Sequence, residues 1–91
     1  MKEENNEKVR RKRFQEIVRG RVEELRVLSN NTYYTLSYKS TLPMTTLMHI
    51  ADGTTKNPGA YTIMKICDGL GITLKEFFDT KEFEDVLKEY E

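Results

Sequence analysis

The stretch Thr32–Gly53, TYYTLSYKSTLPMTTLMHIADG, leaves this chain few ways to fold. Its spacing predicts a short helix, a tight turn and a second short helix closed by a glycine. Thr32 suits the cap of the first helix, because its hydroxyl accepts a hydrogen bond from a free amide of the opening turn. Leu36 and Ser37 put one large and one small side chain on the inner face, so another helix can approach closely. Pro43 stops the first helix and suits the first turn of the next, since its ring fixes φ and it lacks an N–H. Leu47 and Ile50, three apart, bury the inner face of the second helix. Met44, Thr45, Met48 and His49 are left for its outer face. Two helices crossed in this way are a device for entering the DNA major groove.

Around this centre the chain reads as helices throughout. Residues 1–10 are polar and without period, and are expected to be disordered or frayed. A helix is expected from near Arg11 to Leu28, where Phe14, Ile17, Val18, Val22, Leu25 and Leu28 fall at offsets 0, 3, 4, 8, 11 and 14, one face of a 3.6-residue period. Gly20 interrupts it at a cost of about 1 kcal/mol relative to alanine, marking either a weak point or a close contact. After a polar loop, Pro58 opens a helix over about 59–70 with Ile63, Met64, Ile66, Cys67 and Leu70 as its apolar stripe. Gly69 and Gly71 provide a left-handed stop. Thr73 and Glu76 have the spacing of a capping box around a short helix ending near Phe78. Phe83, Val86, Leu87 and Tyr90 then give a last helix, residues 80–91, one apolar stripe. That stripe can bury on its own domain or pair with a second copy, and the second is favoured here. No strand-like alternation or internal repeat is present, so the fold class is all-α.

Ninety-one residues make one domain with a modest core. No run of about 18 apolar residues suggests a membrane span, and MKEENNEKVRRKRF has no apolar segment behind it to make a signal peptide. The one cysteine, Cys67, fits a small buried thiol in a reducing cytoplasm. Net charge is zero, yet Lys8–Arg26 holds eight basic residues against three acidic ones, and Asp68–Glu91 holds eight acidic against three basic. Local charge, not the total, decides phosphate binding. The asymmetry suggests that one end faces nucleic acid.

The order of signals, with TTKNPGAYTIMKICDGLGITLKEFFD following the two short helices, resembles the phage Cro/cI-type repressor family (XRE-type regulators) from about Arg19 to Asp79. The resemblance implies a five-helix lambda-repressor-like DNA-binding domain over residues 11–79, with an additional C-terminal helix. It also implies a homodimer on two-fold related double-stranded DNA. Carried over by position, the base readers are Met44, Thr45, Met48 and His49. The phosphate contacts are Thr32 and Tyr33 at the start of the second helix, with Lys56 and Asn57 after the recognition helix. Lys39 joins them as a backbone contact in the reading of the residues themselves. The chain departs from the family in Thr41, where a turn glycine is usual, in Asp52, where Asn is common, and in Tyr33, where Gln is usual. Met44–Ala51 contains no Arg or Lys.

The leading expectation is a sequence-specific transcriptional regulator without catalysis. The rival is a protein-interaction module on the same scaffold, antitoxin-like or a co-regulator, with weak or no base readout. An enzyme is not expected, since there is no phosphate-binding Gly-rich loop, no paired-carboxylate motif and no Cys–His spacing of a known kind. Neither a cofactor nor a small-molecule substrate is implied, and His49 with Asp52 does not fill a metal coordination sphere.

Overall fold

The computed structural model describes residues 2–88, with side chains from residue 6 onward. Among them are six helices and no strand: α1 (Lys2–Leu28), α2 (Tyr33–Ser40), α3 (Met44–Ala51), α4 (Ala60–Leu70), α5 (Leu74–Phe78) and α6 (Lys81–Lys88). The all-α class and the order of elements agree with the sequence. One boundary does not. The segment expected to fray is helical from Lys2, so α1 is 27 residues long. Neither Gly nor Pro stands before Gly20, and once a helix is nucleated each further residue adds a hydrogen bond at little cost. At 1.5 Å per residue α1 spans about 40 Å, which sets the molecule's longest dimension of 44 Å.

The core forms where α3 and α4, with α2 packed against both, meet the middle of α1. Leu36, Leu47, Ile50, Ile63, Ile66 and Phe77 are almost wholly buried, joined by Val18, Val22, Cys67 and Phe83. The stripe predicted for α1 is narrower than expected. Val18 and Val22 are buried and Ile17 and Leu25 are partly so, but Leu28 is 74% exposed because the helix ends beyond the reach of the core. Cys67 is a free buried thiol whose pKa is pushed up by that burial.

Three helices close with one device, a residue in the left-handed region whose following amide reaches back to the last turn. In α1 the left-handed residue is Asn30 (φ 60°), with Asn31 N–H donating to the Arg26 carbonyl at 3.1 Å. In α4 it is Gly71 (φ 72°), with Ile72 donating to Cys67 at 3.0 Å. In α2 it is Thr41 (φ 55°, ψ 41°), with Leu42 donating to Ser37 at 3.0 Å. Asn and Gly enter this region readily, whereas a β-branched residue is an outlier there. Thr41 is held by its own carbonyl, which accepts a 3.1 Å hydrogen bond from Lys65 Nζ on α4.

Gly69 has a different role from the one expected. It is not part of the stop but lies inside α4, against Ser40 of α2. A Cβ on Gly69 would stand 2.9 Å from the Ser40 nitrogen and 3.1 Å from its Cα. The small residues at 40 and 69 therefore let two backbones nearly touch. At Gly20 no such reason exists, since an added Cβ there meets nothing within 4 Å.

The last two helices fold onto α1. The Thr73–Glu76 capping box is complete, with Glu76 N–H donating to Thr73 Oγ1 at 3.0 Å and Thr73 N–H to Glu76 Oε1 at 3.2 Å. Arg21 of α1 donates from Nε to the Phe77 carbonyl and from Nη2 to the Glu76 carbonyl, both at 2.8 Å. The end of α5 is thus satisfied by a cation more than fifty positions earlier. In α6, Phe83 and Val86 are buried, and the Phe83 ring lies 5.7 Å from Phe14 and 5.1 Å from Phe78. The stripe favoured for pairing with a second copy thus packs on its own domain over these residues. Leu87 is 54% exposed, and Tyr90 lies outside the described residues.

Candidate nucleic-acid interface

The short α2, its left-handed turn and α3 place one face of α3 outward. Thr32 caps α2, its hydroxyl accepting from Thr35 N–H at 3.0 Å. The turn Thr41–Pro43 leads straight into α3, with Pro43 (φ −58°, ψ 142°) in the capping position one residue earlier than expected. Leu47 and Ile50 anchor α3 from below. Met44, Thr45, Met48 and His49 are all exposed, at i, i+1, i+4 and i+5 of one helix, so they share a continuous outer surface. Met44 and Met48 leave 43% and 46% of their surface open.

The residues assigned to phosphate fall into two groups. Thr32, Lys39, Lys56 and Asn57 are exposed. Tyr33 is not available in the way its position suggested. Its hydroxyl donates to Glu23 Oε2 at 2.8 Å, and the Arg26 guanidinium covers its ring at 4.1 Å. Arg26 also bonds Glu23 and donates to the Asn31 carbonyl at 2.8 Å. This network holds the Glu23 carboxyl below its ordinary range, chiefly through Arg26, and raises the Tyr33 phenol, chiefly through Glu23. Arg26 therefore ties α1 to α2, as Arg21 ties α1 to α5. The other two α2 tyrosines stand outward: Tyr34 is 68% and Tyr38 80% exposed.

The loop after α3 is organised by Asp52. Its Oδ1 accepts the Thr54 amide at 2.8 Å, and Thr54 holds its carboxyl below the usual range. This pairing fixes the orientation of the Asp52 carboxylate. Gly53 follows at φ +85°, with the Arg19 guanidinium so close that a Cβ there would sit 2.7 Å from Nη1. Asn57 Oδ1 accepts from Gln15 Nε2 at 3.0 Å, fastening the loop to α1.

Between that loop and α1 lies a cleft of about 520 Å³, bordered by Lys8, Arg11, Lys12, Arg19 and Lys56, with Glu16 as its single acid. Counting the cations of Lys8–Arg26 together does not reveal this cleft. The signal was present: Lys8, Arg11, Lys12, Gln15 and Arg19 fall at offsets 0, 3, 4, 7 and 11, one helical face. It emerges only when the helix begins before Lys8. Among the described residues, no group of three His, Cys, Asp or Glu side chains could hold a metal ion, and no helix is long and apolar enough to cross a membrane.

No protein-family model matches the chain, and neither a curated protein nor a solved structure does.

Proposed function

We propose that this protein is a sequence-specific double-stranded DNA-binding regulator that lays α3 in the major groove. The observation that carries the reading is the outward surface of α3, with Leu47 and Ile50 buried beneath Met44, Thr45, Met48 and His49. Thr45 is a hydrogen-bonding group for a base edge, and the two thioethers are apolar partners for thymine methyls. Thr32, Lys39, Lys56 and Asn57 supply backbone contacts that set register without reading sequence. The likeness to Cro/cI-type repressors adds a second copy, with half-sites about 34 Å apart.

Fluorescence anisotropy with labelled duplexes tests this at two salt concentrations. Affinity is expected to fall steeply with salt, and Lys56→Ala to reduce the slope of log K against log salt by about 0.9, the share of one phosphate contact. Absence of binding at low salt, or a flat salt dependence, defeats the reading. A second reading has one observation in its favour: residues 44–51 carry neither Arg nor Lys, while Met44 and Met48 are open to a partner. As a protein-interaction module the chain would bind duplexes weakly and without base preference. Selection from random duplexes separates the two.

A further inference from the structure

The cationic cleft does not stand alone. Next to it is a pocket of about 270 Å³, bordered by Phe14, Val18, Pro58, Ala60, Ile63, Leu74 and Phe78, and the two share Gln15, Lys56 and Asn57 as a common wall. Those three are the only polar residues in the pocket's lining. Three of its apolar residues, Phe14, Leu74 and Phe78, remain 39–45% exposed although each is large. Apolar surface of this kind, in a concave site with a few polar groups at one end, is what a small-molecule site presents.

We infer that the pocket and cleft together bind a small amphipathic anion, a single short hydrocarbon or aryl tail bearing a phosphate or carboxylate head. The tail fills the space between Phe14, Ile63 and Phe78. The head lies across the shared wall, facing Lys56 and the cations of α1. Neither half explains the other without this: a nucleic-acid backbone uses the cations and leaves the apolar pocket empty, and an uncharged tail leaves five cations unused. The pocket holds one tail, which favours a soluble amphiphile over a bilayer surface. The inference is independent of DNA binding, though Lys56 belongs to both readings.

The test titrates the full chain with inorganic phosphate, hexyl phosphate, octyl phosphate and octanol below their micellar concentrations, followed by amide chemical shifts. Octyl phosphate is expected to bind tightest, about fifteenfold more tightly than hexyl phosphate, since each of the two added methylenes contributes roughly fourfold. Shifts are expected at 14–18 and 56–63. Ala60→Met, an exposed position at the pocket rim, is expected to abolish the chain-length dependence while an unchanged circular dichroism melt reports an intact fold. Lys56→Ala is expected to weaken both alkyl phosphates while leaving the hexyl-to-octyl ratio intact. Equal affinity for octyl and inorganic phosphate overturns the inference, as does a chain-length effect that survives Ala60→Met. Binding to phosphatidylglycerol vesicles without affinity for octyl phosphate overturns it in favour of a membrane surface.

Discussion

Gly20 and Gly69 both interrupt helices, and the structure predicts opposite signs for their replacement by alanine. In an open helix interior, Gly→Ala stabilises by about 0.5–1 kcal/mol because the unfolded chain loses freedom and the helix gains propensity. Gly20 is such a site, since its added methyl meets nothing within 4 Å. At Gly69 the same methyl would lie 2.2 Å from Ser40 Oγ, 2.9 Å from its nitrogen and 3.1 Å from its Cα. The hydroxyl can rotate away, but the backbone atoms cannot move without shifting α2. Overpacking of this kind costs up to about 3 kcal/mol; set against a propensity gain of about 1 kcal/mol, the net loss is roughly 2 kcal/mol. Urea denaturation followed by circular dichroism measures both variants, and in a domain of this size each kcal/mol moves Tm by about 4–8 °C. Gly20→Ala should therefore melt higher than the parent and Gly69→Ala well below it. Ser40→Gly in the Gly69→Ala background should recover only part of the loss, because it removes the hydroxyl and leaves the backbone contact. If the two alanines shift stability in the same direction, the close approach of α2 and α4 is not what places glycine at 69.

Other expectations concern the turn, the long-range cations and pH. Thr41→Gly removes a left-handed penalty of about 1–2 kcal/mol and adds unfolded-state freedom of about 0.5–1 kcal/mol, so chemical denaturation should show a small net gain. Arg21→Met deletes two charge-assisted bonds to the end of α5 and should lower stability by roughly 2 kcal/mol, with heteronuclear relaxation showing α5 and α6 loosened first. Because the Glu23 pKa is depressed from its ordinary 4.5, the stability it confers is whole above that value and lost as pH falls through the shifted one. The Tyr33 pKa is raised above 10.0, so its share is whole below pH 10.0 and lost as pH climbs through the shifted value. Thermal melts across pH should show both limbs, and Glu23→Gln should flatten them.

Much of this fold was legible because its signals are local. The Thr32 cap, the Thr73–Glu76 box and the Leu47/Ile50 pair each depend on residues within four positions, and each is present as read. At Thr41 the turn keeps its left-handed geometry despite the β-branched side chain. The start of α1 was hidden because a polar helix shows no apolar period, and the cationic stripe was hidden with it. Tyr33 looked like a phosphate donor by position, but Glu23 and Arg26, close only in the folded molecule, claim its hydroxyl and ring. Gly69 read as a stop because one chain's sequence does not say which backbone passes nearby. The outer surface of α3 was legible because Leu47 and Ile50, three apart, fix which side faces inward.

The hold of Arg21 on the end of α5 reaches beyond local stability. A five-residue helix is far below the length that persists alone in water, so α5 depends on a cation fixed 55 positions earlier in sequence. The middle of α1 thus meets its partner carbonyls only once α5 has folded back onto it. A backbone cut in the loop at 53–57 would yield two fragments, each a partial fold that becomes ordered only in the company of the other.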